Sequence, residues 1–535
     1  MLEKMYPKFL SNIRNKNNMF ERYKVEIDKN ANIPENKKGN ILITSICSSE
    51  AVNLFEGLYA RKAILEGNEV YVLFCGQFLN NCETKGRYLK INSLRCSLCK
   101  DRQEQFVTTF GVNPCYYDHI LDKDDIDKIN KLVNDYFVNN KHVFCGVNID
   151  TILYTSLQRH YLEAAPKIKN DKITRGFLFT IYSTLIAMKK LCSKIKPKYV
   201  MSTHGTYSTW GSAVEYCKAN DIRVVTYGRT YNKDGMIFAI DDSYLLRYQN
   251  IKDEEWNSRI LSDKQLALVH NFYQTRLGIV DGDITFDYNN GNNKLIPKQE
   301  ICKLLKLDDN KKIVTLLPNI PWDGQFNGNS PVYKLFRDWL RETIEFFAKK
   351  EDVYLVIRSH PAEMTRNAGH ETTITMISDM FTELNSNIVV LPPDSNLNSF
   401  ALSNISEFVL TYSTTTTLEV AYLKKPVLLV GNPAFKNKGI VYDINSREQY
   451  FNMINHGLDK GLEVTEAQYE KLLKFSYYYF FEVVMPETLI DIKNTVPYGF
   501  KFNNEIELKN NKELDYIYDC IENDKKVNFD KFYNK

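Results

Sequence analysis

The sequence predicts an α/β fold with two Rossmann-like domains that face a cleft. Apolar strand patterns alternate with amphipathic helical patterns, as in NILITSIC, then SSEAVNLFEGLYARKAILEG, then EVYVLFCG. Such β-α-β units form parallel sheets with crossover helices. They occur in two blocks, and the polar, Asn- and Gly-rich stretch DGDITFDYNNGNNKLIPKQE between the blocks is typical of a linker.

These patterns divide the chain into five parts. We expect a helical N-terminal extension at 1–38, a first Rossmann-like domain at 39–285 and a linker at 286–300. A second Rossmann-like domain follows at 301–465, and C-terminal helices at 466–535. The tail carries the aromatic run FSYYYFFEVV, which is compatible with contact to a membrane surface. Packing of the tail back across the two domains is the favoured interpretation.

Bulk properties narrow the class of protein. The formal net charge is +3 over 535 residues, which does not favour a nucleic-acid partner. No apolar run reaches the ~18 residues that span a bilayer, and the polar N-terminus lacks the apolar segment of a secretory signal. We therefore expect a cytoplasmic protein with reduced cysteines, and peripheral membrane contact stays open.

The first candidate site is a run of hydroxyl side chains. Ligands of parallel α/β sheets bind beyond the carboxyl ends of the strands. Ser413, Thr414, Thr415 and Thr416 follow such a strand and open a short helix, and Glu419 lies in its first turn. Hydroxyls and free N–H groups at a helix N-terminus suit a phosphate, which we favour over simple capping of the helix. Glu419 would accept from a ribose or complement the helix dipole.

A second candidate follows another strand of the same block. In VIRSHPAE, Arg358 and His360 come where the strand ends, Pro361 stops it and Glu363 lies just beyond. Arginine and histidine at a strand end can bind a phosphate or the edge of a base. A single histidine is more often structural, but its position one crossover before the hydroxyl run favours a shared site.

A third candidate follows the first strand of the second block. LLPNIPWDG places Asn319, Trp322 and Asp323 there, and the indole can stack on a base or a sugar. A Pro-Trp-Asp turn that packs on the core explains the same residues equally well.

The first block offers candidates for a general base. His204 follows the strand PKYVMSTHG, while Glu50 and Glu56 lie on the helix after the first strand. A base must reach the hydroxyl that it deprotonates, so we expect one of these three to face the cleft, with His204 the first choice.

Four cysteines form a separate candidate. Cys96 and Cys99 make a CxxC pair, and Cys82 and Cys115 flank it. Four thiolates can hold a structural zinc ion in tetrahedral geometry. Because a second CxxC is absent, buried free thiols remain the favoured alternative.

The motifs together resemble a known group of enzymes. RSHPAE, followed some fifty residues later by TYSTTTTLEVAYLKKPVLLVG, is similar to the HP and Ser/Thr motifs of bacterial capsule and surface-polysaccharide glycosyltransferases. NIPWDG is similar to an Asn-x-x-Trp-Asp element in some capsule proteins. The resemblance covers most of residues 40 to 445 and includes Kdo-transferase-like and sialyltransferase-like enzymes. The acidic motif of sialyltransferases is missing.

The resemblance implies a GT-B fold with an N-terminal acceptor domain and a C-terminal nucleotide-sugar domain. By resemblance, His360 would contact the donor nucleotide, and Ser413, Thr414 and Thr415 would hold its phosphate. It implies transfer from a CMP- or UDP-type donor to a capsule or lipopolysaccharide glycan or glycolipid, near the inner membrane and without a catalytic metal or other cofactor. A sugar-nucleotide 2-epimerase, a polyol-phosphate transferase and a non-catalytic capsule assembly protein remain alternatives.

Overall fold

The structure of the chain is a computed structural model. It describes residues 33–46, 50–84, 92–139, 142–232, 235–280, 295–322, 330–364, 371–493 and 496–533. The predicted N-terminal extension therefore lies almost entirely outside the described residues, and so does most of the predicted linker.

The first domain is built on a sheet of seven strands. In its described residues, this part of the chain has eight strands: β1 Gly39–Thr44, β2 Asn68–Phe74, β3 Asn113–Tyr116, β4 Val143–Phe144, β5 Val147–Asn148, β6 Tyr199–Thr203, β7 Val224–Arg229 and β8 Met236–Ile240. Strands β4 and β5 form a separate hairpin, the other six belong to the sheet, and the seventh strand of the sheet comes from the tail of the chain. From β3 to β7 the sheet is parallel, in the order β3-β2-β1-β6-β7, and β8 is antiparallel to β7. Central strands such as β6 are buried along their whole length, because helices cover both faces.

Helices flank this sheet and connect its strands. They are α1 Glu50–Leu65, α2 Asn92–Phe110, α3 Tyr117–Ile120, α4 Lys123–Asp135, α5 Ile149–Tyr161, α6 Lys172–Ile195, α7 Ser212–Ala219, α8 Tyr244–Gln249 and α9 Asp263–Arg276. A five-residue π-helical turn, Tyr207–Gly211, precedes α7. In the described part of the chain, no helix combines the length and the apolar character needed to cross a membrane.

The second domain is built on six parallel strands. They are β9 Lys312–Leu317, β10 Val353–Arg358, β11 Ile388–Leu391, β12 Val409–Thr411, β13 Val427–Leu429 and β14 Tyr442–Asp443. Their order is β11-β10-β9-β12-β13-β14, the order 3-2-1-4-5-6 of dinucleotide-binding folds. The helices are α10 Lys298–Leu305, α11 Phe336–Phe347, α12 Thr373–Met380, α13 Ser399–Ile405, α14 Thr416–Tyr422 and α15 Arg447–Lys460. Helix α10 begins inside the predicted linker, whose last three residues are therefore helical.

The tail returns to the first domain. It contains α16 Glu466–Tyr477, a π-helical turn Tyr478–Glu482, strands β15 Val484–Met485, β16 Ile490–Lys493 and β17 Val496–Phe500, and helices α17 Glu505–Lys509, α18 Lys512–Glu522 and α19 Asp530–Tyr533. Strand β15 pairs with β8 and extends the first sheet, and β16 and β17 form a hairpin. We predicted only helices for the tail. It also contains strands, because it completes a sheet edge and packs a hairpin on the core.

The tail also supplies core side chains. Leu514, Ile517 and Phe529 pack in one hydrophobic cluster with residues of α1, β1 and β2. A second cluster contains Phe272 of α9, Val427 of β13 and Phe480 of the tail, so it is shared by both domains. The aromatic run of the tail is therefore buried between the domains rather than exposed.

The predicted fold class, two Rossmann-like domains that face a cleft, is confirmed. The strand order reverses between β1 and β6 in the first sheet and between β9 and β12 in the second. Crevices at such reversal points bind ligands in open α/β sheets. The topology therefore selects the residues that directly follow β1, β6, β9 and β12.

Candidate functional site

At the reversal point of the second sheet, a hydrogen bond joins the segments that follow β9 and β12. Asn319, which follows β9, accepts through Oδ1 the backbone N–H of Ser413, which follows β12, at 2.8 Å. Gly431, which follows β13, packs so tightly against this turn that an added Cβ would overlap both the Tyr412 carbonyl oxygen and Ser413 Oγ. Asn319 was predicted to bind the donor. Its side chain instead positions Ser413.

The five hydroxyls of the run have different environments. Thr417 donates to Thr411 Oγ1 at 3.0 Å inside the domain, and Thr414 Oγ1 accepts the N–H of Thr416 at 3.3 Å. Thr415 caps α14 by position, yet its side chain makes no capping bond. Ser413 Oγ is buried and has no hydrogen-bond partner among the described residues. Capping therefore explains one hydroxyl and leaves Ser413 and Thr415 for another task.

Glu419 does not stand free beside this run. It is buried, and its Oε1 forms an ion pair with Arg276 at the end of α9. Its Oε2 is buried without a partner in the described part of the chain. Glu419 thus links the helix of the hydroxyl run to the first domain, and only one of its oxygens remains for a ligand.

Arg358 is a structural residue, contrary to our prediction that it binds the donor. Its guanidinium donates all five N–H groups to backbone carbonyls, those of Leu397, Ser359, Pro392, Pro393 and Ser395. The side chain is buried, and it fastens the connection between β11 and α13 to the end of β10. No N–H group is left for a phosphate.

Glu363 also has a structural role in place of the predicted donor contact. Its two carboxylate oxygens accept the N–H of Thr373 at 3.0 Å and the Thr373 hydroxyl at 2.7 Å, at the start of α12. Pro361 opens the short 3-10 turn that carries it.

His360 lies between Arg358 and Glu363 in the sequence. Its Nδ1 accepts the N–H of Ala362 at 3.1 Å, which places the ring proton on Nε2 in the neutral form. Burial, together with the charge of Arg358, lowers the pKa of His360 to about 4. The imidazole is therefore neutral at pH 7 and can offer one N–H. Its contact with the donor stays a prediction.

The third candidate is only partly described. Trp322 is buried in the turn after β9, as the alternative of a turn packed on the core predicts. Asp323 lies outside the described residues. Stacking of Trp322 on a base stays a prediction.

His204 lies at the reversal point of the first sheet. Its backbone N–H donates to the backbone carbonyl of Tyr227 at 3.1 Å, and its backbone carbonyl accepts a hydrogen bond from the Ser243 hydroxyl at 3.0 Å. The ring stacks on Trp210 at a centroid distance of 5.3 Å. Burial, with a smaller contribution from Arg159, lowers the pKa of His204 to about 4, so the imidazole is neutral at pH 7 and can accept a proton.

The two glutamates proposed as bases do not share this position. Glu56 is fully buried and accepts hydrogen bonds from Ser45, Asn53 and the Tyr227 hydroxyl, the last at 2.6 Å. Burial raises its pKa to about 7. Of the three candidate bases, Glu56 is therefore excluded from the cleft, because its carboxylate is bonded within the core. The side chain of Glu50 lies outside the described residues.

The two reversal points meet in one cavity. Its volume is 480 Å³, which suits a small-molecule ligand. It is lined by the strand-end residues Thr203, His204, Tyr227, Gly228, Arg229, Ser413 and Thr415, by Pro433, Ala434 and Phe435 after β13, and by side chains of α8 and of the tail that include Tyr244, Tyr248, Tyr479 and Phe480. His204 and Ser413 occupy equivalent places in their sheets, each directly beyond the fourth strand of the parallel order.

Some lining residues escaped the sequence analysis. The loop Pro433, Ala434 and Phe435 follows a predicted strand, so the same strand-end rule applied to β13 would have found it. Lys436 supports this loop from inside. Its Nζ donates to the carbonyls of Leu429 at 3.0 Å and Ile444 at 2.7 Å, and burial lowers its pKa to about 8. Tyr479 and Phe480 had no such signal, because the return path of the tail brings them to the cavity.

The cysteines are distributed differently from the predicted set. Cys96 and Cys99 lie on α2, Cys82 is buried before it, and Cys115 lies on the edge strand β3. Cys75, the residue after β2, is a neighbour of Cys82 and Cys99: burial is the main cause of its raised pKa, and these two thiols add to it. The described residues contain no group of three or more His, Cys, Asp or Glu side chains that could hold a metal ion. Zinc binding by Cys82, Cys96, Cys99 and Cys115 is therefore not supported by their arrangement.

Sequence comparison identifies no relative, and structure comparison finds solved structures with low similarity to the chain. No family model matches the chain, and no curated protein matches it. A β-Kdo 2,4-transferase, KpsC of Thermosulfurimonas dismutans, is 12% identical over 52% of this chain and 79% of its own, with a TM-score of 0.34. A glycosyltransferase from Rickettsia africae aligns over 83% and 93% at 11% identity, with a TM-score of 0.27.

A third similar structure is a UDP-GlcNAc 2-epimerase from Neisseria meningitidis bound to UDP-GlcNAc. It covers 82% of this chain and 96% of its own at 13% identity, with a TM-score of 0.23. With TM-scores this low, the function has to be inferred from the residues of the site.

Proposed function

We propose that the protein is a glycosyltransferase that moves a sugar from a nucleotide-activated donor of CMP or UDP type to a growing surface glycan. One observation carries the proposal. The unpartnered Ser413 hydroxyl and Thr415, which follow β12, line the same cavity as His204, which follows β6, and Arg229, the last residue of β7. Phosphate-binding groups on one side and a proton acceptor on the other are the arrangement that direct displacement of a nucleotide by an acceptor hydroxyl requires.

The second domain holds the donor phosphate in this proposal. The backbone N–H groups of Thr414 and Thr415 have no acceptor among the described residues, and Ser413 Oγ lies beside them. Two N–H groups and two hydroxyls can surround a phosphate oxygen. Arg229, on the opposite wall, adds positive charge. These groups stabilise the negative charge that develops on the leaving phosphate.

The first domain activates the acceptor. His204 takes the proton of an acceptor hydroxyl, whose oxygen bonds to the anomeric carbon of the donor sugar. The bond between that carbon and the phosphate oxygen breaks, and its electron pair leaves with the nucleotide. The imidazole is neutral at pH 7, as a proton acceptor has to be, and the negative charge of a bound donor would raise its low pKa toward the range of an efficient base.

The proposal includes transfer without a catalytic metal. None of the described residues that line the cavity carries a carboxylate, the ligand that a divalent cation bridging a diphosphate needs. Transfer in the presence of a chelator should match transfer without it.

The donor site is tested by thermal unfolding with CMP, UDP, GDP, dTDP and CDP. A ligand that binds only the folded chain raises its melting temperature. Ser413→Ala removes a hydroxyl without a partner, so the free variant should melt like the wild type while its gain with nucleotide is smaller. Thr417→Val is the matched control. It breaks the bond to Thr411 at 3.0 Å, so it should melt earlier but keep the full gain.

Two results would contradict the donor site: no nucleotide raises the melting temperature, or Ser413→Ala keeps the full gain. The reaction is then identified with sugar derivatives of the nucleotide that binds. Conversion of the donor alone would identify a 2-epimerase, and consumption of a CDP-polyol would identify a polyol-phosphate transferase. Binding without any turnover would indicate a non-catalytic assembly protein.

A further inference from the structure

Three polar side-chain atoms on one turn of the first domain have no hydrogen-bond partner. They are His204 Nδ1, Thr206 Oγ1 and Trp210 Nε1, and all three are buried within the described structure. The Trp210 side chain is more than nine-tenths buried, with 8% exposed. Buried polar groups are nearly always paired, so three unpaired ones on a seven-residue turn point to a missing ligand.

The turn is held firmly by its neighbours, so poor packing does not explain the unpaired atoms. Glu83 accepts the hydroxyls of Ser208 and Thr209, both at 2.6 Å. The backbone is also constrained, because His204 and Tyr207 have φ values of 60° and 68°, in the left-handed region. Strained backbone of this kind persists where the surroundings enforce it, and functional sites are the usual place.

The chemistry of the three atoms selects the ligand. An indole N–H can only donate and a threonine hydroxyl can do both, and in the neutral tautomer that carries its proton on Nε2, His204 Nδ1 can only accept. With His204 in this tautomer, a ligand that satisfies all three atoms must accept and donate, as neighbouring hydroxyls of a sugar do. Phosphate only accepts, so it would leave Nδ1 of this tautomer unpaired. The nearby cation Arg159 lies over the Tyr207 ring at 5.7 Å.

From these contacts we infer that Thr206 and Trp210 bind the hydroxyls of the acceptor sugar beside His204. The inference rests on the proposed function and names the acceptor subsite within it. His204 connects the two subsites, because the residue lines the donor cavity and its ring stacks on Trp210. The three atoms are shielded from solvent in the free chain, so acceptor binding includes a side-chain rearrangement that exposes them.

The test uses p-nitrophenyl glycosides of glucose, galactose, N-acetylglucosamine and N-acetylmannosamine as probes. Glycoside binding is measured by calorimetry in the presence of the nucleotide that stabilises the protein. Trp210→Phe removes the N–H and keeps an aromatic ring, and Thr206→Val removes the hydroxyl and keeps the shape. Each should weaken glycoside binding about 10-fold, the order expected for one hydrogen bond, and leave nucleotide binding unchanged.

Trp256→Phe is the matched control. Trp256 Nε1 is also buried without a partner in the described chain, but it lies in the core shared by the two domains and packs on Phe475. This variant should bind both ligands like the wild type. Equal losses in Trp210→Phe and Trp256→Phe would mean a general effect on the fold and would overturn the inference.

Three other outcomes would distinguish the acceptor subsite from the donor site. If a nucleotide binds and no glycoside binds the wild type, the acceptor subsite is wrong while the donor site stands. Loss of nucleotide binding in Trp210→Phe would assign this turn to the donor instead. If glycosides bind and no nucleotide does, the sugar subsite stands and the proposed glycosyltransferase function fails.

Discussion

Replacing Arg358 by lysine or by methionine should destabilise the second domain without weakening nucleotide binding by the folded protein. All five N–H groups of Arg358 are used on backbone carbonyls, and the bonds to Leu397 and Ser359 are buried while the other three are part-buried. Lysine keeps the charge but has three donors at one point, so it cannot reach carbonyls spread around a planar guanidinium. A buried carbonyl without a partner costs ~1–3 kcal/mol. Leaving the two buried carbonyls without a partner predicts a loss of roughly 2–6 kcal/mol, a large part of the stability of an ordinary domain, and methionine, which has no donor, should lose at least as much as lysine.

Urea unfolding followed by tryptophan fluorescence measures this loss, and nucleotide binding is measured on the same samples without urea. Arg341→Met is the control, because Arg341 is half-exposed and pairs with Asp338 on the same helix, a contact worth less than ~1 kcal/mol. The reasoning is refuted if the Arg358 variants unfold like the wild type but no longer bind nucleotide. Arg358 would then contact the phosphate in solution.

Three further predictions concern other buried groups. Gly431→Ala should lower the melting temperature and weaken nucleotide binding, because the added Cβ overlaps Ser413 Oγ at a cost of ~1–3 kcal/mol; an unchanged melting curve would contradict this. Glu56 holds its proton in the folded chain between pH 4.5 and about 7, where the unfolded chain has lost it. The free energy of unfolding should therefore fall by up to about 3 kcal/mol as the pH rises through that window, and Glu56→Gln should lack this component in urea titrations at several pH values. Glu505→Ala leaves the buried charge of Arg61 without its carboxylate and should cost ~3–5 kcal/mol in the same titration, whereas a loss below ~1 kcal/mol would show that the pair is exposed in solution.

The sequence was most informative about the strands that lie inside the two sheets. Runs such as NILITSIC and EVYVLFCG are mostly apolar, because helices cover both faces of the sheet, and each forms a strand where we placed it. Strand β3, with the sequence NPCY, has neither an apolar run nor alternation, so we missed it. Strand β15 has two residues and is defined only by its pairing with β8, a partner more than two hundred residues earlier in the chain.

The site shows a similar division. The strand-end rule found His204 and Ser413, because the end of a buried strand is visible in the sequence. It could not show where a long side chain points. Arg358 is bonded to carbonyls 34 to 39 residues away as well as to its neighbour, and Glu56 reaches Tyr227, which lies 171 residues away. Such partners depend on the packing of distant segments, so neither role could be read from local pattern.

The return of the tail has a consequence for the order in which the protein folds on the ribosome. The sheet of the second domain is formed by a continuous segment, from Lys312 to Asp443, and all its strands are synthesised before the tail. The core of the first domain contains Leu514, Ile517 and Phe529, which are synthesised after the strands of both sheets. The domain that is translated first therefore cannot finish its core until the tail has left the ribosome. Folding of the two domains is expected to run opposite to the direction of translation, and until the tail emerges α1 has a vacant hydrophobic face for chaperones to cover.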